Sequence, residues 1–348
     1  MKHFHHFLSS ALRVAGLLIA VVFAFCAAPV SAEQRIIEAD GTYTIGDGLD
    51  ENISVAKERA RTDALRNASE QASVFVESLS VVQEGMLTKD EIRVISANIM
   101  QLQGEPKFKI IPVSDDVIRY QCHVTVLVDT DNISQNMISD KQSLDDAVRR
   151  NQELTEEVAR LNAEMERLKQ QYAGASTEQE RRQIRQEVRR NDEGFVAAQL
   201  NEQGADLFGQ GRYDEAIGCF NQAIEKNPRF AFAYHNRGSA YGKVKNYTQA
   251  IADFTQAIAI DANYATAYSG RGFAYCGTED YERAAADFSR AISLSPNYAA
   301  AYYGRGIVYT YLGHYEEAMR DYQKALAINP QLDAARTNLD MIRKALNR

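Results

Sequence analysis

Residues 233–241 read AYHNRGSAY, and nearly the same nine residues return as AYSGRGFAY at 267–275 and as AYYGRGIVY at 301–309. The interval between successive copies is the same both times, from Ala233 to Ala267 and from Ala267 to Ala301. A fixed period of this size is typical of a solenoid, because one short unit cannot bury its apolar face alone and must stack on its neighbours. The sequence therefore predicts a repeat domain that presents an extended surface.

Each unit reads as two short amphipathic helices. A glycine falls in the middle of the first apolar pattern, where it costs about 1 kcal/mol relative to alanine unless close packing requires it. An aromatic residue then opens a second stripe spaced i, i+3, i+4, i+7. Three of the four units end in a turn with proline, which cannot continue a helix. In chain order the glycines are Gly204, Gly238, Gly272 and Gly306, and the aromatic residues are Tyr213, Tyr247, Tyr281 and Tyr315.

This pattern of glycine, aromatic residue, Ala-x3-Phe-x2-Ala run and terminal proline resembles the tetratricopeptide repeat. An apolar stripe after the last unit, with Arg336 and Arg343 on its other face, predicts a solubilising cap helix. The resemblance implies an all-α solenoid whose concave groove binds a protein or peptide partner. The units are placed at 197–230, 231–264, 265–298 and 299–332, and the cap helix at 333–348.

An arginine on the first helix of a unit is matched by an aspartate on the second helix, always at the same spacing. The first unit lacks both, with Gln203 and Cys219 at those positions. The arginine and the aspartate are present together or absent together, which favours a salt bridge between the paired helices. In such a bridge, loss of one charge would leave the other unpaired. An arginine ladder for an acidic ligand is the alternative. The pairs are Arg237 with Asp253, Arg271 with Asp287, and Arg305 with Asp321.

The first helices of tetratricopeptide units line the concave face, so the resemblance assigns candidate binding residues by their phase. The resulting groove is aromatic and nearly uncharged. It lacks the Lys/Asn/Arg set with which some family members clamp a C-terminal carboxylate, which favours an extended apolar or mixed peptide. Packing against the next unit is the alternative for Phe273 and Ile307. The candidate residues are Asn201, Phe208, Phe232, His235, Lys243, Phe273, Tyr303, Ile307 and Tyr311.

Residues 33–135 predict a separate α+β domain. Thr88 with Glu91 three residues later is a capping box that starts one of its helices. Strands that alternate in polarity around a polar turn predict a hairpin. The predicted elements are a strand over 37–47, helices over 53–79 and 89–101, and hairpin strands over 107–113 and 117–128.

Three stretches of this segment carry a second resemblance: ADGTY at 39–43, ARTDALRNASEQA at 60–72 and CHVTVLVDT at 122–130. They resemble the N-terminal domain of the flagellar assembly protein T type and small bacterial envelope lipoproteins. The resemblance contains no invariant chemical motif. It implies a role in envelope assembly and not in catalysis.

Residues 1–32 have the features of a signal peptide. Lys2 and Arg13 precede an apolar run over 14–28 that is short for a bilayer span, and small residues end at Ala32. Cleavage near Ala32 predicts a periplasmic or secreted bacterial protein that meets the membrane only through this peptide. A retained anchor is one alternative. Acylation at Cys26 is another, although a bulky phenylalanine precedes that cysteine.

Residues 136–196 predict a helical, coiled-coil linker. Apolar residues at heptad positions a and d over 144–172, with Asn151 at one a position, favour a parallel homodimer. The alternative is a monomeric helix that folds back, through the break at 173–176, onto a second helix at 178–190. The a positions are Leu144, Asn151, Val158, Met165 and Tyr172, and the d positions are Ala147, Leu154, Leu161 and Leu168.

The sequence offers no catalytic, metal or cofactor site. The formal net charge is −8, without the basic stripe that a nucleic-acid partner requires. Cys122 and His123 are adjacent, but neighbours on a strand point to opposite faces. No other histidine stands at metal-ligand spacing, and no phosphate-binding loop, nucleophile elbow or HExxH motif occurs. Cys122, Cys219 and Cys276 are expected to be small buried hydrophobes.

These patterns together predict an exported, non-enzymatic scaffold of the bacterial envelope that binds a partner segment in its repeat groove. An enzyme or accessory subunit with activity in residues 33–135 is the first alternative. An envelope tether or assembly factor is the second.

Overall fold

A computed structural model describes residues 34–46, 49, 51–80, 88–114, 117–129 and 141–346. The predicted signal peptide lies outside these residues, and so do Asp115 and Asp116 of the predicted hairpin turn. Within the described ranges, no helix combines the length and the apolar character that crossing a membrane requires.

The N-terminal part is an antiparallel four-stranded sheet with two helices packed on one face. Strand β4 is central: β1 pairs along one side of it, while β2 and β3 share the other side. The predicted α+β class is confirmed. The short strand β2 lies where the sequence predicted the end of a helix. The elements are β1 (Gln34–Gly46), α1 (Ile53–Ser80), α2 (Lys89–Ile99), β2 (Met100–Leu102), β3 (Lys107–Ser114) and β4 (Val117–Asp129).

Alternation along β4 decides which side chains enter the core. Cys122 and Val124 are buried under the helices, whereas His123 between them lies on the opposite face. There its Nδ1 is 3.0 Å from Oδ1 of Asp40 on β1. Cys122 and His123 therefore form no pair, as the sequence predicted. The predicted capping box of α2 is also present, with both Thr88 and Glu91 hydrogen bonds formed.

Helix α1 lies unusually close to β1. An alanine recurs at every fourth position along its inner face, and all of these alanines are buried. At their centre, a Cβ on Gly41 would overlap the main-chain nitrogen of Ala64 and the carbonyl oxygen of Ala60. Backbone therefore packs directly on backbone at this point. The alanines are Ala56, Ala60, Ala64, Ala68 and Ala72.

Two long helices, α3 (Lys141–Gly174) and α4 (Glu178–Gly209), form an antiparallel hairpin within the chain. Tyr172 lies beside Arg185, and the carbonyl of Leu161 accepts a hydrogen bond from Asn191. The predicted parallel homodimer cannot use four of its heptad positions, because the chain itself already buries their side chains. The fold-back alternative is the one observed. The buried positions are Leu161, Met165, Leu168 and Tyr172.

Helix α4 continues past the predicted linker boundary at residue 196 and becomes the first helix of the solenoid. Shorter helices follow it, which serve alternately as the second helix of one unit and the first helix of the next. A last helix covers the C-terminal end of the solenoid. The predicted all-α solenoid with a cap helix is confirmed. The helices are α5 (Tyr213–Lys226), α6 (Ala231–Lys243), α7 (Tyr247–Ile260), α8 (Ala265–Gly277), α9 (Tyr281–Leu294), α10 (Ala299–Tyr311), α11 (Tyr315–Ile328) and α12 (Asp333–Leu346).

The repeated glycines make room for aromatic rings. A Cβ on Gly272 would lie 3.0 Å from the ring of Phe288, and a Cβ on Gly304 in the next unit would overlap the same ring. Phe254 is held in the same way between Gly238 and Gly270. One ring thus packs against two successive first helices, which fixes the stacking of the units.

The predicted arginine–aspartate bridges are confirmed as links between paired helices. Nε and Nη2 of each arginine donate to the two carboxylate oxygens of its aspartate at 2.7–2.9 Å. The remaining Nη1 donates to a side chain on the second helix of the preceding unit: Asn221, Thr255 or Ser289. Each arginine therefore also joins neighbouring units, so these guanidinium groups hold the solenoid together.

Candidate peptide-binding groove

A cleft of about 790 Å³ is lined by the first helices of units 1 to 3, with further residues from the second helices α5 and α7. Small residues on α4, α6 and α8 open the space, and aromatic rings form its walls. One wall residue, Glu153, comes from α3 and lies outside the repeats. The small lining residues include Ala205, Ser239, Gly242 and Gly270, and the aromatic ones include Phe208, Tyr213, Tyr247 and Phe273.

Four of the predicted binding residues line this cleft: Phe208, His235, Lys243 and Phe273. Phe273 is 38% exposed, while its ring also meets the edge of Phe288 at a centroid distance of 4.9 Å. Phe273 is therefore both a residue of the cleft lining and a packing contact with the second helix of its own unit. Lys243 is exposed, and its ammonium has no ion-pair partner among the described residues.

Asn201 and Phe232 contribute to the structure beside the cleft. Asn201 is buried and its amide oxygen accepts a hydrogen bond of 2.9 Å from Asn236. The ring of Phe232 packs edge-on against Tyr264 at 5.3 Å and against Phe230 at 5.8 Å. Both side chains position the first helices and are not part of the cleft lining.

The structure does not bring the last unit into the cleft. Tyr303 and Ile307 pack against the hydrophobic cluster that joins α11 to the cap helix α12, with the Tyr303 ring 6.0 Å from that of Tyr322. The packing alternative therefore holds for Ile307, and the same correction applies to Tyr303. Tyr311 is 69% exposed and stacks on Tyr281 at 5.0 Å, and neither residue is part of the cleft lining.

Helix α3 supplies a wall that the sequence analysis missed. Its Glu153 carboxylate accepts a hydrogen bond of 3.3 Å from the Tyr264 hydroxyl, at the start of α8. Leu154 and Val158, on the same helix, pack on the cluster around Phe230. No local signal in the sequence could have placed this helix, because the residues that it contacts here are distant in the sequence.

Thr266 on α8 also lines the cleft and was missed, whereas helical phase does place Ser269 on the same face. The phase of Thr266 could have identified it, but a small polar side chain did not stand out among the aromatic residues. No cluster of potential metal ligands occurs within the described parts of the chain.

The cysteines offer no reactive thiol at the cleft. Cys122 is buried as predicted, whereas Cys219 and Cys276 are only partly buried. Burial nevertheless raises the pKa of Cys276 to about 11, so its thiol stays protonated at neutral pH.

Family models match the repeats directly. A tetratricopeptide repeat model matches residues 231–264 and 299–332, and a second TPR repeat model matches 204–245 and 274–313. No curated protein sequence matches the chain.

Solved structures of tetratricopeptide repeat proteins and of MamA are similar to part of the chain. A crystal structure of MamA is 25% identical over 41% of this chain and 84% of its own, with a TM-score of 0.38. The first TPR domain of Spaghetti, bound to an HSP90 peptide, is 33% identical over 34% of this chain and 95% of its own, with a TM-score of 0.34. A thermophilic TPR protein of Thermus thermophilus is 24% identical over 44% and 84%, with a TM-score of 0.40. By the family models, the C-terminal part of this chain is a solenoid of tetratricopeptide repeats.

Proposed function

We propose that this protein is an exported, non-catalytic interaction scaffold of the bacterial envelope that holds an extended segment of a protein partner in the groove of units 1 to 3. The observation that supports the proposal is the cleft of about 790 Å³ along the first helices of units 1 to 3. Its size lies within the range of ligand sites, and stacked repeats commonly use their concave surface for binding.

The lining of the cleft suits a peptide with apolar side chains. Aromatic rings such as Phe208 and Phe273 offer large contact surfaces at little cost in side-chain entropy, which is why aromatic residues are enriched at binding sites. The charged residues of the lining are Glu153 and Lys243, one of each sign. A segment without a strong net charge therefore fits best.

Photocrosslinking in cells tests the groove. We expect the full chain with p-benzoylphenylalanine in place of Phe273 to give a discrete adduct of higher mass, because position 273 combines exposure with a place in the cleft. Ser293, exposed on the second helix of the same unit, is the matched control and should give none. Equal labelling from both positions, or no adduct from position 273, would argue against the groove as the binding surface.

Export is tested separately. The apolar run over 14–28 followed by small residues predicts cleavage after Ala32, so the protein recovered from a periplasmic extract should begin at Glu33. Intact-mass spectrometry measures this directly. Retention of residues 1–32, a lipid on Cys26 or recovery only from the cytoplasm would contradict the proposed location while leaving the groove proposal standing.

A further inference from the structure

Two buried hydroxyls in the groove have no hydrogen-bond partner. Thr266 is 8% exposed and Ser269 is 1% exposed, and both line the cleft from α8. Neither Oγ atom forms a hydrogen bond within the described structure. A hydroxyl that folding removes from water without replacing its hydrogen bonds lowers stability, so two such groups at one site call for a functional explanation.

Other helical hydroxyls of this chain show what the ordinary solution is. Ser96, Thr255 and Thr310 each donate to the carbonyl oxygen one turn earlier, at 2.7 or 2.8 Å. This local bond is the common choice for serine and threonine inside helices. Thr266 and Ser269 do not make it, and they lie one helical turn apart on the cleft side of α8.

We infer that Thr266 and Ser269 are the polar anchor of the groove and hydrogen-bond main-chain amide groups of the bound segment. This inference rests on the proposed function. A hydroxyl both donates and accepts, and a peptide group offers one acceptor and one donor, so the two are complementary. An extended segment that enters a groove must itself find partners for its buried N–H and C=O groups.

The charges around the hydroxyls favour a neutral peptide group over an anion. The charged lining residue that contacts the start of α8 is Glu153, whose carboxylate accepts a hydrogen bond from the hydroxyl of Tyr264, two residues before Thr266. A carboxylate or phosphate bound at the hydroxyls would be repelled by this negative charge. No cation on the same turn of α8 would offset the repulsion. Lys243 belongs to the last turn of α6.

Access to the hydroxyls requires a small rearrangement. Because Ser269 is almost fully covered in the free chain, a neighbouring side chain of the cleft must turn aside when the segment binds. Changes of side-chain rotamer without backbone movement are common at interfaces. The aromatic walls would then take the apolar side chains of the segment and set its selectivity.

The probe is a short linear peptide selected on the full chain from a phage-displayed random library. We expect Thr266→Val and Ser269→Ala each to weaken its binding about tenfold, the effect of one lost hydrogen bond. Both changes remove an unpartnered hydroxyl, so the melting temperature should stay level or rise. Thr255→Val is the control: its hydroxyl is partnered and exposed on α7, so it should lower the melting temperature and leave affinity unchanged.

N-methylation of successive amides in the same peptide identifies the atoms involved. We expect one or two positions where methylation costs affinity in the wild-type chain and costs nothing further in the Thr266→Val or Ser269→Ala chain. If Phe273→Ala abolishes binding but the hydroxyl variants and N-methylation have no effect, the inference is wrong and the proposed function stands. If no selected peptide is sensitive to Phe273→Ala, the proposed function is wrong and the inference falls with it.

Discussion

Replacement of Gly41 by valine is expected to unfold the α+β domain. Any side chain at this position meets the main chain of α1, including Cα of Ala64 at 2.7 Å, and main-chain atoms cannot turn aside as a flexible side chain can. Overpacking a core costs about 1–3 kcal/mol and occasionally more. Because the helix must leave the sheet to admit the new side chain, we expect a loss at or above the upper end of that range.

Thermal unfolding followed by circular dichroism measures the effect, since the chain contains no tryptophan to report by fluorescence. The variant should lose the β-sheet signal at a temperature where the solenoid helices are still folded. Gly218→Ala is the control, because a Cβ there meets nothing within 4 Å on helix α5. It should be neutral or stabilise by up to about 1 kcal/mol. A Gly41→Val chain that melts like the wild type would mean that α1 does not rest on β1 at this point.

The solenoid could be predicted from the sequence because its stabilising contacts are local and repeated. Gly272 packs on Phe288 and Arg305 bonds Asp321, each pair within one unit, and both kinds of pair recur with the repeat period. Both partners of such a contact can be recognised within the sequence of one unit, and their recurrence in the next unit supports the assignment. The strands of the α+β domain were predictable for a similar reason, because burial alternates residue by residue along β4.

The hairpin of α3 and α4 could not be chosen over a dimer in this way. A heptad pattern predicts that Leu161 and Leu168 will be buried against another helix, but it does not indicate whether that helix belongs to the same chain. The contacts that decide the question are distant in sequence: Arg59 on α1 reaches Asn191 and Asp192 on α4. No local sequence pattern predicts a contact between residues so far apart in the chain.

The groove shows the same division between local and distant contacts. Helical phase correctly placed His235 and Phe273 on the cleft. The same phase also selected Tyr303 and Ile307, which instead pack, half-buried, against the cluster between α11 and the cap helix α12. Glu153 reaches the cleft only because the hairpin docks beside it. Helical phase alone therefore does not predict the groove residues correctly at a terminal repeat or beside a docked helix.

Replacement of Arg59 by methionine is expected to separate the α+β domain from the hairpin. The Arg59 side chain is 1% exposed, and its guanidinium donates to Asn162 of α3 and to Asn191 and Asp192 of α4. It also stacks 4.3 Å from the ring centre of Phe195. Removing one partner of a buried ion pair typically costs about 3–5 kcal/mol, because the other charge stays buried. Urea unfolding should show this loss, whereas the exposed Arg66→Ala control should cost about a few tenths of a kcal/mol.

The pH dependence of this loss distinguishes an unpaired charge from lost packing. Burial raises the pKa of Asp192, and Arg59 is one of the groups that hold it down, so the pKa should rise further in the methionine variant. A carboxyl group whose folded pKa is raised stabilises the fold at low pH, and this contribution disappears as pH increases through the folded pKa. The gap between variant and wild type should therefore be smaller near pH 4 than near pH 7, where the unpaired Asp192 charge adds to the lost packing and neutral hydrogen bonds. Adding Asp192→Asn should remove the pH dependence of the gap and recover part of the stability. A gap of the same size at both pH values would show that Arg59 acts through packing alone.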